Sequence, residues 1–255
     1  MELNLINLMK PLLSIGLRVS GLMLFAPVFG SAAIPVRMKA VLVIALTAVL
    51  YPALSARVAA VTVTQWPLLV VHELLIGIGL GLASNLLFDA VQMAGQILSI
   101  QMGYSLVNIL DPQTQVESTV MALFHQTIAI LIFLALNVHH ALLRMIAGSF
   151  DYLPVGTAQI SSPFATATLK LGGAIFALGM QLAAPVVAAT MVADVVIGML
   201  GKASPQMPLM LLGPAVKSML GAAVLLGVVR YWPGLLEGWF RNSFAYAERL
   251  LHLAR

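Results

Sequence analysis

A chain of 255 residues that is 61% hydrophobic and only 9% charged cannot cover a water-facing domain, in which roughly 25% of residues carry charge. Its mean hydropathy of +1.01 puts it in the membrane class. The absence of cysteine excludes disulfides, thiolate metal sites and cysteine nucleophiles. The net charge of +4 comes from singly scattered Lys and Arg, with no basic run to suggest a nucleic-acid partner.

Backbone groups in lipid must pair within their own segment, so long apolar runs are helices, about 20 residues being enough to span. About six or seven such runs are present, some interrupted by proline, which predicts an all-α membrane protein of helical hairpins. The opening, Met1 to Pro11, lacks a charged segment leading into an apolar core and a small-residue cleavage site, so Leu12–Phe29 is expected to be a retained first helix. A second run, Ala40–Ala56, follows Arg37 and Lys39. A third begins at Trp66-Pro67, where proline suits a first helical turn, and continues through Glu73 and Asp89 to about Gln92.

The texture changes between Gly95 and Glu117, where Gln, Ser, Asn and Asp interrupt the apolar residues. Gln101-Met-Gly-Tyr-Ser-Leu-Val-Asn-Ile-Leu-Asp-Pro combines a glycine, small polar groups and an Asp111-Pro112 turn signal. Such a stretch reads as a re-entrant or plug-forming loop, or as an ordinary extramembrane loop. Non-helical backbone at membrane depth requires burial in protein or a lined cavity.

Val120–Ala147 is predicted to resume as one long helix. Pro154-Val155-Gly156 with Ser161-Ser162-Pro163 makes a connector. Leu169–Gly201 follows, with a kink expected at Pro185, then Leu209–Val229 with Pro214 inside it. The tail, Leu235–Arg255, sets Trp239, Phe240 and Phe244 against Arg241, Glu248 and Arg249, an amphipathic interfacial helix. Basic residues fall evenly on both sides of the spans and give no orientation.

Ionisable groups inside apolar runs are the sharpest chemical signals, since each costs at least about 2.5 kcal/mol at a helix centre without a partner or water. Glu73, Asp89 and Asp194 are the acids. They read as an ion relay or, with one acid per segment, as interhelical or intersubunit partners of Arg18, Lys202 or Lys217. His139-His140 is a poor metal pair, because neighbours on a helix point about 100° apart. Gly77-Ile78-Gly79-Leu80-Gly81 lies inside an apolar helix with no strand before it, so close helix packing is preferred to a phosphate loop. No nucleophile, base and acid can be assembled from spacing, so an enzyme is not expected and no cofactor or metal is implied.

The residues in order carry a resemblance. Arg18-Val-Ser-Gly-Leu-Met, Ala26-Pro-Val-Phe-Gly, Glu73-Leu-Leu-Ile-Gly-Ile-Gly-Leu-Gly, Gln101-Met-Gly, Asp111-Pro, Asn137-Val-His-His, Leu153-Pro-Val-Gly, Ala184-Pro and Ser204-Pro-Gln-Met span nearly the whole chain. The series resembles the FliR family of flagellar and virulence type III export-gate subunits. The resemblance implies a fusion of a FliP-like region (1–165, with a plug-like loop 103–117) and a FliQ-like hairpin (166–234), followed by the amphipathic helix 235–255. It implies assembly with FliP- and FliQ-like subunits, and with FlhB- and FlhA-like subunits, into a channel partly raised out of the bilayer, in the bacterial inner membrane and the flagellar basal body, where unfolded substrates pass.

On this chain the family's plug falls on Gly103, Tyr104, Ser105, Leu106, Val107, Asn108, Ile109, Leu110 and Asp111. Leu106 and Ile109 stand where family members can carry phenylalanine. An apolar stopper blocks ions by dewetting and still yields to a threading polypeptide. The resemblance favours flagellar over virulence use. The rival from the residues alone is a small-molecule or ion transporter using Glu73, Asp89 and Asp194.

Overall fold

The computed structural model of the chain describes residues 2–31, 34–55, 66–104, 119–154, 162–204, 206 and 209–253, and regular structure among them is entirely helical. The helices are α1 (Glu2–Phe25), α2 (Val36–Leu54), α3 (Trp66–Gln101), α4 (Val120–Ala135), α5 (Val138–Tyr152), α6 (Ser162–Ala203), α7 (Leu209–Val229) and α8 (Trp232–Leu253). Four have segments long and apolar enough to cross a bilayer: α2, α3, α6 and Leu212–Val229 of α7. The bent pair α4–α5 makes a fifth if it is one span. The chain is an all-α membrane protein.

Several boundaries differ from the sequence expectation: α1 runs Glu2–Phe25 rather than Leu12–Phe29, α2 begins at Val36 rather than Ala40, α6 begins at Ser162 inside the expected connector rather than at Leu169, and α8 begins at Trp232 rather than Leu235. Two further differences have a clear cause. The run expected as one helix from Val120 to Ala147 breaks at Asn137, whose φ of 53° is left-handed, and α4 and α5 diverge there by 70°. Asparagine is among the few residues that visit this region routinely. The third run does not stop near Gln92 but continues to Gln101, because its buried stripe continues as Val91, Ala94 and Leu98, spaced to keep one face inward.

The chain divides into two compact units, each drawn from separated segments. Unit 1 comprises Met1–Leu86, Leu134–Gly172 and Trp239–Arg255; unit 2 comprises Leu87–Phe133 and Gly173–Gly238. In unit 1, Ile15, Val19 and Leu22 of α1 are fully buried at helical spacing, as are Ile76, Leu80 and Ala83 of α3 to within 2%. Glycine lets these two helices touch. A Cβ on Gly77 would land on the Arg18 carbonyl oxygen, and one on Gly21 would stand 2.5 Å from the Leu74 carbonyl oxygen. The glycine-rich run in α3 is therefore a close-packing surface.

In unit 2, a Cβ on Gly95 of α3 would stand 2.5 Å from Ala122 Cα of α4. Phe88 and Phe133 meet edge to face at 5.4 Å. His125 is fully buried, bonded through Nδ1 to the Met121 carbonyl and 5.0 Å from the Trp232 ring, as a packed polar residue.

Candidate functional site

Unit 1 buries one charged node. Arg18 and Glu73 are both completely buried, and Arg18 Nε donates to Glu73 Oε2 at 2.7 Å. Arg18 Nη1 donates to Ser149 Oγ at 3.1 Å and to the Leu153 carbonyl at 3.0 Å, while Ser149 Oγ donates onward to the Ile146 carbonyl at 2.7 Å. The guanidinium carbon lies 4.0 Å from the Phe150 ring centre. One arginine thus ties α1 to α3, to α5 and to the residue that ends α5. The planar fork makes this feasible, since a lysine cannot reach three acceptors in fixed directions.

Unit 2 carries a second, more open polar node around the end of α3. Lys217 Nζ of α7 pairs with Asp194 of α6 at 2.9 Å, the lysine side chain 17% and the aspartate 48% exposed. Gln101 Nε2 reaches the same carboxylate at 3.4 Å, and Tyr104 OH reaches Ser218 Oγ at 3.4 Å. Both contacts are at the long end of hydrogen bonding.

Just there α3 stops in a Schellman turn. Tyr104 N–H donates to the Ser99 carbonyl at 2.9 Å, Gly103 N–H to the Ile100 carbonyl at 3.1 Å, and Gly103 takes a φ of +84°. Gly103 packs on Pro214, and buried Met102 fits the space left by Gly221.

Of the residues singled out from sequence, the structure brings together Arg18 with Glu73, and Asp194 with Lys217. It sets Gly103 and Tyr104 at the end of α3. Ser105, Leu106, Val107, Asn108, Ile109, Leu110 and Asp111 lie outside the described residues. Asp89 is part-buried on α3 and engaged. Lys202 is exposed in the last turn of α6, where a cation complements the helix dipole.

The His139 and His140 rings lie 4.2 Å apart, inclined at 53°, and among the described residues no group of three or more metal-ligating side chains is gathered. Sequence reasoning missed Ser149 and the Leu153 carbonyl as partners of Arg18, and missed Ser218. Leu153 had a signal, since Leu153-Pro-Val-Gly belongs to the motif series, while Ser149 had only its place on an apolar run. Ser218 had only its place beside Lys217.

These features define a multi-pass helical membrane protein in which two polar nodes, around Arg18 and around Asp194, join helices to one another. A family model described as "Bacterial export proteins, family 1" matches residues 9–243, and the chain belongs to that family. It is 30% identical to the "Flagellar biosynthetic protein FliR" of Escherichia coli (strain K12) over 228 residues, 89% of this chain and 87% of that protein. The protein of the same description from Bacillus subtilis (strain 168) is 30% identical over 84% of each chain, and that of Aquifex aeolicus (strain VF5) is 29% identical over 82% of this chain and 81% of its own.

Proposed function

We propose that this chain is a core channel-forming subunit of the flagellar type III export gate. In this reading it is a multi-pass protein of the bacterial inner membrane and flagellar basal body that passes unfolded export substrates and is needed for flagellum assembly. The flagellar relatives support the system. Residues 1–165 act as the FliP-like part and 166–234 as the FliQ-like hairpin, packing against FliP- and FliQ-like subunits and reached by FlhB- and FlhA-like ones. Gly103 to Asp111 closes the resting pore as an apolar plug, and no catalysis is required of this chain.

The observation that carries a shared assembly is a length. In α6 the stretch 171–201 holds Asp194 as its lone charge, and as helix it extends about 46 Å against a hydrocarbon core of about 30 Å. Its most apolar window is only 28% buried within the chain. Fitting it into lipid alone needs a tilt of about 50°, outside the usual range of 0–40°. Apolar surface beyond the bilayer needs protein to cover it, and sister subunits supply that cover.

The test has two arms. Chain drawn from native membranes is expected to bring FliP- and FliQ-like chains with it, and its isolation alone would sink the assembly reading. Deleting residues 104–110 is expected to raise small-ion leak through a complex that still assembles, and an unchanged leak would remove the plug.

A further inference from the structure

Helix α2 contrasts with α6. Its 19 residues extend about 28 Å, matching one hydrocarbon thickness, and its most apolar window is only 6% buried. Between it and α1 runs a groove of about 310 Å³, walled by Leu12, Leu13 and Leu17 of α1 and by Val43, Ile44 and Ala48 of α2. Gly16 opens the groove: a Cβ there would meet Thr47 Oγ1 at 3.6 Å and nothing closer. Thr47 donates its hydroxyl to the Val43 carbonyl at 2.7 Å, so its polar group is satisfied within α2.

The groove is open along one side and its walls are apolar, so a string of methylenes can lie along it. Charge then favours one kind of chain end. Arg37, Val41, Ile44 and Ala48 share one stripe of α2 at helical spacing, placing Arg37 about 10 Å along the axis from Ile44, toward the helix start. Arg37 is exposed, and its guanidinium makes no hydrogen bond or ion pair with the described residues. Neighbouring Lys39 is already engaged, donating from Nζ to the Gly30 carbonyl at 2.9 Å.

A cation at the end of a span-length apolar stripe is the arrangement that meets a phosphate at the membrane surface, and a guanidinium can hold two phosphate oxygens at once. We propose that the α1–α2 groove binds an anionic phospholipid, one acyl chain lying along Gly16 and Ile44 and the phosphate resting on Arg37. The site lies on a helix whose length matches one hydrocarbon thickness.

The test uses the full chain in its native complex, delipidated in detergent and re-exposed to phosphatidylglycerol or phosphatidylcholine, with bound lipid counted by native mass spectrometry. Phosphatidylglycerol is expected to be retained in preference. Arg37→Gln should lower its retention about fivefold, toward the phosphatidylcholine level, the size expected for one arginine at an anionic surface. Arg230→Gln, an exposed cation of unit 2, should not change it.

Gly16→Leu, which fills the groove, should remove both lipids, with Gly16→Ala as the folding control. Ile44→Trp closes the groove from its exposed rim and gives a second route if Gly16→Leu does not fold. Equal retention of the two lipids, or retention unmoved by Arg37→Gln and by groove filling, overturns the proposal. So does a Gly16→Leu or Ile44→Trp chain that keeps its lipid but no longer joins its complex, which would make the groove a seat for protein side chains.

Discussion

Removing one member of the Arg18–Glu73 pair should be far more damaging than replacing both. In Glu73→Gln the amide oxygen can still accept from Arg18 Nε, so the 2.7 Å contact survives as geometry while the countercharge is lost. The guanidinium is then left with neutral partners, the Ser149 hydroxyl, the Leu153 carbonyl and the Phe150 ring, at a site with no solvent exposure. Breaking a buried pair this way costs about 3–5 kcal/mol.

The double replacement Arg18→Met with Glu73→Leu removes both charges and fills similar space. Among the described partners of Arg18, the group it strands is the Leu153 carbonyl, at about 1–3 kcal/mol, since Ser149 keeps its own bond to the Ile146 carbonyl. Thermal unfolding of the purified chain in detergent reads the difference. At about 2–4 °C per kcal/mol for a protein of this size, the single variant should lose about 6–20 °C, and the double variant should recover part of that. Strictly additive losses would mean that the two side chains do not share a node, and the reasoning above would fail.

Gly77→Ala should destabilise by about 1–3 kcal/mol, because its Cβ meets the Arg18 backbone rather than a movable side chain. Gly172→Ala, with nothing within 4 Å, should be neutral or stabilising by about 0.5–1 kcal/mol in the same melt. Gly103→Ala places a side chain at φ +84° against Pro214 and should cost about 1–2 kcal/mol; an unshifted melt would mean that the turn ending α3 forms otherwise. Lys217→Met should cost the isolated chain under about 1 kcal/mol, since its pair with Asp194 is part-solvated, yet reduce export where a neighbouring subunit excludes that water. A variant that assembles and exports normally would show the pair to be dispensable.

The fold was legible where a rule of spacing applied. Apolar runs gave the helices, and Trp66-Pro67 marked the start of α3, whereas α2, expected from Ala40, begins at Val36 just after Pro35. Proline inside a run misleads in a predictable direction: Pro11 lies within α1, which therefore begins at Glu2 rather than at Leu12. The break at Asn137 was not legible, because nothing in an apolar window distinguishes an asparagine that turns the chain from one that hydrogen-bonds across helices.

The same limit governs the site. Sequence offered Arg18, Glu73, Asp194 and Lys217 as charges in need of partners, but which acid meets which base depends on contacts between residues 55 apart in one case and 23 in the other. Gly103 was read as part of a loop motif. Its left-handed φ as a helix terminator became visible only with the backbone.

Hydropathy cannot separate a helix wall facing lipid from one facing a sister subunit, because both surroundings are apolar, but length can. The cysteine-free chain allows single cysteines to be placed along α6 at exposed positions such as Phe176, Met191, Val195 and Met199 and challenged with a water-soluble maleimide. For the chain alone in vesicles, a bilayer shields only about 20 residues of a helix near its normal, so part of the stretch 171–201 should label. In the assembled complex the same positions should be protected along the whole stretch, since subunits rather than lipid cover the excess of about 16 Å. Full protection of the chain alone would mean that a steep tilt hides the helix in lipid. The length of α6 would then no longer call for partners, and the case for a shared channel wall would rest on family membership alone.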